Sequence, residues 1–119
     1  MYLDHLAIIV SSEEGVDFYK SLGFKEIERQ IRPQTDDEIV VLKSDEIRLE
    51  LYKDPTHPAR ATNPEAYGLR HLCIAVEDLE KYGVEIKHDQ RGAFLFVYDP
   101  DGLPVELRDA SELKGEKEC

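Results

Sequence analysis

Hydrophobic and polar residues alternate in two short stretches that have nearly the same sequence. Residues 4–10 and residues 70–76 each contain a charge, a histidine, a leucine and then alternating small and branched apolar residues. This period of two predicts a strand in each stretch, with His5 or His71 and every second residue after it on one face. The opposite face carries the larger aliphatic residues and is expected to pack against helices, so the histidines should point the other way.

The residues after the first stretch predict a β-α-β-β-β order for a first module, residues 2–53. Ser12 followed by Glu13 and Glu14 indicates a helix start with a capping hydroxyl, and Gly23 indicates its end. Strands are then expected over residues 24–31, 38–43 and 47–52, separated by a loop at 33–37 and a tight turn at 44–45.

A segment with three prolines in ten residues, within 54–67, predicts an irregular linker. A second and shorter module is then expected over residues 68–109. Its predicted elements are a strand at 71–76, at most two helical turns at 77–82 closed by Gly83, strands at 84–87, 93–98 and 104–108, and a turn at 99–102. The polar tail, residues 110–119, is expected to be frayed.

Length and charge limit the classes of function. A chain of 119 residues with net charge −11, from 26 acidic and 15 basic residues, is expected to form a single domain, 1–119, that repels nucleic acid and lacks a basic face for membranes. The apolar run 6–10 is far too short for a signal peptide or a membrane span. Cys73 and Cys119 do not resemble a disulfide framework, which favours a cytoplasmic location.

Two glutamates, Glu50 and Glu106, stand in the middle of apolar strands. Each one taken singly has an ordinary interpretation as the solvent-facing member of a half-buried strand. Both recur at equivalent positions of the two modules, as do His5 and His71. Two imidazoles and two carboxylates brought together by a pseudo-twofold axis would suit a divalent transition metal, and we therefore predict that these four residues are its ligands.

The repeated modules, the histidines in the first strands, the glutamates in the last strands and the Asp99-Pro100-Asp101-Gly102 turn resemble the vicinal oxygen chelate superfamily. The resemblance extends over about residues 3–109. It implies an α+β fold in which two βαβββ modules form a cupped mixed sheet. Glyoxalase I, methylmalonyl-CoA epimerase, extradiol dioxygenases, fosfomycin-resistance transferases and bleomycin-resistance proteins belong to this superfamily.

The resemblance implies a metal-dependent lyase or isomerase of glyoxalase I type. Its metal would be Zn, Ni, Co, Mn or Fe, and the two remaining octahedral positions would bind neighbouring oxygens of a small substrate and stabilise an enediolate. A ligand carboxylate would serve as the base. Glu106 is the first choice for this role and Glu50 the second. A homodimer is also expected, with the site inside one chain or across the dimer interface.

Five further residues are candidates for contact with the substrate. Arg48, Tyr52 and Arg108 share strand parity with a glutamate and would line the mouth of the site, although ordinary exposed strand ends are an equal alternative. Phe94 and Phe96 would form an apolar wall, or simply part of the core. Glyoxalase I enzymes use basic residues to hold the carboxylates of glutathione, and no such cluster can be placed in this sequence. The sequence therefore does not identify which thiol, if any, the substrate carries.

Other functions remain as alternatives. A non-catalytic protein of bleomycin-resistance type would bind a cationic drug, but it has no need for inward metal ligands. An epimerase usually carries Gln where Glu50 stands. An extradiol dioxygenase would use two histidines and one glutamate on iron, and a thiol transferase is the remaining enzyme class.

Overall fold

A computed structural model describes residues 1–113 of the chain. Two compact units divide the chain between Arg60 and Ala61, within the segment predicted as a linker. That segment contains turns and one isolated bridge between Thr62 and Glu65. Each unit contains a four-stranded mixed sheet and few helical residues, which confirms the α+β class and the repeated βαβββ plan.

The first unit follows the predicted element order. Its sheet has the order β1-β4-β3-β2, in which β1 and β4 are parallel and the other neighbours are antiparallel. A parallel pair needs a crossover connection, and the helix α1 lies in that connection. The elements are β1 (Leu6–Val10), α1 (Glu13–Ser21), β2 (Lys25–Arg32), β3 (Asp37–Ser44) and β4 (Ile47–Lys53).

The helix α1 begins and ends near the predicted residues, but its start differs in one detail. Ser12 occupies the N-cap position with an extended backbone, yet its side chain makes no capping hydrogen bond, so that expectation was wrong. Instead, the Gly15 amide donates to the Ser12 carbonyl at 3.1 Å. After the helix, Gly23 has a φ of +112°, which is the left-handed ending expected of a glycine there.

The second unit repeats the plan with less helix. Its sheet has the order β5-β8-β7-β6, again with one parallel pair between the first and last strands. A 3-10 turn over Glu80–Tyr82 takes the place of α1, and Gly83 follows it with a φ of +66°. The strands are β5 (Leu72–Val76), β6 (Lys87–Asp89), β7 (Gly92–Tyr98) and β8 (Pro104–Asp109). Within residues 1–113, no helix combines the length and the apolar character that crossing a membrane requires.

Two predicted segments of the second unit differ from the structure. The strand predicted at 84–87 was misplaced, because β6 begins only at Lys87. Its position is set by a tight hairpin turn in which Asp89 pairs with Gly92 and accepts a hydrogen bond from the Arg91 amide at 2.9 Å. The predicted tail also begins with structure, a 3-10 turn over Ala110–Glu112. Residues 114–119, including Cys119, lie outside the described residues.

The alternation in the two histidine strands separates a more buried face from a more exposed face, as predicted, and the exposed face, here called the site face, carries the histidine and the glutamate. In β1, Ile8 and Val10 are buried whereas Ala7 and Ile9 are exposed. The same pattern places an apolar layer in each unit on the face opposite the glutamates, whereas buried Val41, which pairs with Glu50, lies on the same face as that glutamate. The buried apolar residues are Ile8, Val10, Val16, Tyr19, Phe24, Val40, Val41, Leu42, Leu49 and Leu51 in the first unit, and Leu72, Leu79, Ala93, Leu95, Leu103, Val105 and Leu107 in the second.

Candidate functional site

One histidine and one glutamate come together at the same place in each sheet. In the first unit, β1 pairs with β4 so that Ala7 lies beside Glu50, and β5 pairs with β8 in the equivalent register. Each histidine stands two residues before the paired position and therefore shares its face. The sheet register thus brings each histidine next to the glutamate of its own unit.

In the first unit, His5 Nε2 lies 3.6 Å from Glu50 Oε1. The other ring nitrogen, Nδ1, is 2.8 Å from Asp4 Oδ2. Because a carboxylate only accepts, Nδ1 is the donor, and the hydrogen bond to His5 lowers the pKa of Asp4. In the neutral ring this fixes the proton on Nδ1 and leaves the Nε2 lone pair facing Glu50. In this orientation Nε2 could bind a metal ion.

In the second unit, His71 Nε2 lies 3.1 Å from Glu106 Oε1. The rings of His71 and Phe96 pack edge to face, with centroids 5.2 Å apart. Here Nδ1 accepts a hydrogen bond from Arg70 Nη1 at 3.1 Å, because a guanidinium only donates. In the neutral ring the proton is therefore on Nε2, which donates to Glu106, so the two histidines have opposite tautomers.

Each glutamate shares its second oxygen with an arginine on the same strand and face. Arg48 Nε donates to Glu50 Oε2 at 3.0 Å, and Arg108 Nε donates to Glu106 Oε2 at 2.7 Å. Each carboxylate thus contacts a histidine with one oxygen and an arginine with the other. The pattern is the same in both units although Arg48 precedes its glutamate and Arg108 follows it.

Arg108 is the more strongly held of the two arginines. It is 5% exposed, and its Nη1 and Nη2 atoms donate to the two oxygens of Asp89 at 3.0 and 2.5 Å. The ring of Phe94 lies 4.8 Å from the guanidinium carbon. The ion pair with Arg108 lowers the pKa of Asp89 to about 2 and raises the pKa of Arg108 itself.

The residues predicted to contact a substrate are found in different settings. Phe94 and Phe96 pack against Arg108 and His71, with their own centroids 6.4 Å apart. Tyr52 carries the guanidinium of Arg32 on its ring at 5.1 Å. The side chain of Arg48 is 33% exposed, whereas that of Arg108 is 6% exposed.

An open depression of about 750 Å³ has Asp4 and Arg48, the hydrogen-bond partners of His5 and Glu50, in its lining. It is bounded by one aromatic and one aliphatic residue near the N-terminus and by five charged residues. The lining residues are Tyr2, Leu3, Asp4, Lys43, Asp45, Glu46 and Arg48. The depression therefore offers both signs of charge next to His5.

Asp4, Arg70 and Asp89 were not predicted as parts of the site. Asp4 and Arg70 directly precede the two histidines, so their positions were visible in the repeat. Asp89 gave no such signal, because it reaches Arg108 only through the β6–β7 hairpin. In residues 1–113, no group of three or more His, Cys, Asp or Glu side chains is arranged to hold a metal ion.

The sequence model of the Glyoxalase/Bleomycin resistance protein/Dioxygenase superfamily matches residues 2–107. The chain belongs to this superfamily. It is 37% identical over 120 residues to the uncharacterized protein YwkD of Bacillus subtilis strain 168, covering 88% of this chain and 94% of the relative. The resemblance drawn from the repeated motifs is thereby confirmed.

Solved structures agree with this assignment. A glyoxalase family protein from Enterococcus faecalis has 34% identity and a TM-score of 0.79, covering 91% of this chain and 97% of its own. The trypanothione-dependent glyoxalase I of Leishmania major has 26% identity and a TM-score of 0.76, covering 99% and 93%. The E126Q mutant of the fosfomycin resistance protein FosX from Listeria monocytogenes, solved in complex with Mn(II) and 1S,2S-dihydroxypropylphosphonic acid, shares the fold at 17% identity with a TM-score of 0.67, and the alignment covers 98% of this chain and 97% of that one.

Proposed function

We propose that this protein is a metal-dependent lyase or isomerase of glyoxalase type. In this proposal His5, Glu50, His71 and Glu106 hold one divalent transition-metal ion. The observation that supports it best is the His–Glu pair on the site face of each unit. Each unit supplies one nitrogen and one carboxylate oxygen, which is half of a four-ligand set.

The separations within the pairs suit metal ligation. With metal–ligand bonds of about 2.1 Å, neighbouring donor atoms lie roughly 3.0 Å apart at a right angle and about 3.4 Å apart at a tetrahedral angle. The observed distances are 3.1 Å for His71–Glu106 and 3.6 Å for His5–Glu50. The first pair needs only small side-chain adjustments to bind an ion, whereas His71 must also move its proton from Nε2 to Nδ1 and release the hydrogen bond from Arg70.

The metal, when bound, would polarise two neighbouring oxygens of the substrate and make an adjacent C–H bond more acidic. Glu106 would take the proton from carbon, and a positioned carboxylate base is worth about 10²–10⁴ in rate. Glu50 would remain a ligand and balance the positive charge. Arg48 and Tyr52 would contact the substrate, and the depression beside His5 would admit it.

A complete ligand set needs two His–Glu pairs. We propose a homodimer with two sites, in which the pairs of one site come from one chain or from two copies. A drug-binding protein of bleomycin-resistance type needs no metal ligands. A set of four possible metal ligands therefore favours the enzyme. The acidic residues of the depression, Asp4, Asp45 and Glu46, favour the binding of a cationic ligand as the second candidate function.

Two measurements on the purified protein test the proposal. Elemental analysis should find a divalent transition metal, and a hemithioacetal substrate should be converted when the apo-protein is reloaded with Zn, Ni, Co, Mn or Fe one at a time. Bound metal without turnover of hemithioacetals of several thiols would contradict the glyoxalase activity. Tight binding of a cationic drug by metal-free protein would support the second candidate instead.

A further inference from the structure

We infer that Asp89, acting through Arg108, is a positioning residue that leaves Glu106 only one oxygen for a metal ion. The inference rests on the proposed function, in which Glu106 is a ligand and the base. Asp89 lies on β6, away from the glutamate in sequence and on a different strand. Among residues 1–113, its hydrogen bonds reach Glu106 through the guanidinium of Arg108 between them.

The guanidinium of Arg108 is fixed from three sides. Its Nε donates to Glu106 Oε2, while its two terminal nitrogens donate to Asp89. Phe94 packs against it at 4.8 Å. Because a planar fork bonded at both ends cannot rotate without losing one set of bonds, Arg108 holds Oε2 in place. Glu106 therefore presents Oε1 alone on the side of His71.

The first unit lacks this second anchor. Arg48 donates to Glu50 Oε2 at 3.0 Å, but its side chain is 33% exposed, and within residues 1–113 no other carboxylate is bonded to it. A half-exposed arginine with one partner can leave and return. Glu50 is thus free to change from one-oxygen to two-oxygen ligation, whereas Glu106 is not.

The chain contains a matched control for the ion pair. Arg32 is held by both oxygens of Asp37 at 2.8 and 2.6 Å and lies over the ring of Tyr52, much as Arg108 is held by Asp89 over Phe94. Within the described part of the chain, neither Arg32 nor Asp37 forms a hydrogen bond with any of the four proposed metal ligands. Asp37→Asn therefore removes a similar two-point ion pair without releasing a glutamate.

The experiment uses the full chain, stripped of metal, with Co²⁺ alone as the probe. Calorimetric titration gives the affinity, and the visible spectrum of bound Co²⁺ reports the ligand geometry. We expect Asp89→Asn to weaken Co²⁺ binding by about 10- to 100-fold, as is typical when a group supporting a ligand is lost, and to change the spectrum. Asp37→Asn should bind Co²⁺ with the parental affinity and spectrum.

A conservative variant separates charge from geometry. Arg108→Lys keeps the positive charge but cannot bond Glu106 and Asp89 at once, so it should resemble Asp89→Asn and not the parent protein. Melting temperatures of all variants show that each is folded.

Three outcomes would overturn the inference. Asp89→Asn with the affinity and spectrum of the parent would contradict it while leaving the proposed metal site intact. A loss of affinity in Asp37→Asn equal to that in Asp89→Asn would show a general effect of stability. A parent chain that binds no Co²⁺ would refute the proposed metal site and, with it, this inference.

Discussion

The two units place the same side chains around a glutamate but support them differently. In the first unit, the His5–Glu50 pair is partly exposed and Arg48 has one carboxylate partner. In the second unit, Glu106 is 9% exposed and Arg108 is tied to Asp89. A duplicated module can therefore keep one carboxylate adjustable and hold the other in a fixed orientation.

The largest difference between the units should appear in turnover. Glu106→Gln keeps the size and one oxygen donor but has no carboxylate to accept a proton. We expect it to lose about 10²–10⁴ in rate because the amide cannot accept a proton, and to bind metal more weakly because its NH2 group cannot accept the hydrogen bond from Arg108 Nε. Glu50→Gln is the matched variant and should lose much less activity. The check is turnover of a hemithioacetal at equal metal loading.

A metal-loaded Glu106→Gln protein with the parental rate would contradict this assignment. If Glu50→Gln then lost the activity, the base would lie in the first unit. If neither variant lost activity, the protein would not use either glutamate as a base.

The two arginines should differ in their effect on stability. Arg108→Met leaves Glu106 without its cation in a buried position, and breaking such a pair costs roughly 3–5 kcal/mol. We expect a loss near the lower end of this range because Asp89 is still partly in contact with water. Arg48→Met should cost about 0–1 kcal/mol, as for exposed pairs. Urea unfolding of both variants measures the difference, and equal losses would refute it.

The third prediction concerns the contribution of α1 to stability. In the described part of the second unit, a 3-10 turn takes the place of this helix. A Cβ added at Gly15 would lie 2.7 Å from Val10 Cβ and 2.9 Å from Val10 Cγ1, so α1 could not keep its distance from β1. Gly15→Ala should therefore destabilise the chain by about 1–3 kcal/mol. Asp17→Ala, on the exposed part of the same helix, is the control. A Gly15→Ala protein as stable as the parent would show that the helix shifts freely.

The smallest effect should be the dependence of stability on pH in the acidic range. Arg29 lowers the pKa of Glu13 to about 2, Arg32 does the same for Asp37, and Arg108 for Asp89. A carboxylate with a lowered pKa stabilises the fold at neutral pH and loses that contribution as the pH falls from about 5 to about 2. Melting temperatures should therefore fall over this range.

The contribution of one carboxylate can be isolated from that acid dependence. Asp37→Asn has no charge to lose, so its melting temperature should fall less with pH than that of the parent chain. A variant whose melting temperature changes with pH as steeply as the parent's would contradict the assigned role of Asp37.

The sequence was sufficient for the features that repeat. Alternation placed β1 and β5, glycines marked the ends of the helical segments, and the recurrence of histidine and glutamate identified a pair in each sheet. These predictions succeed because local spacing alone determines which residues share a strand face.

Features that depend on strand register were not accessible from the sequence. β6 was misplaced because the Asp89–Gly92 hairpin, and not the apolar run before it, sets where pairing begins. For the same reason the contact of Asp89 with Arg108 could not be foreseen. The hydroxyl of Ser12 could accept a helix-capping hydrogen bond but makes none. The residue type shows that such a bond is possible, but it does not determine the orientation of the side chain.

The metal content per chain of the parent protein, of His5→Ala and of His71→Ala tests most directly whether two His–Glu pairs share one metal ion. The parent, saturated with Co²⁺ and freed of excess metal, should contain one ion per chain. Each single histidine variant should lose most of it, since the remaining ligands are too few. Two ions per chain, or full retention of metal in either variant, would contradict a shared site.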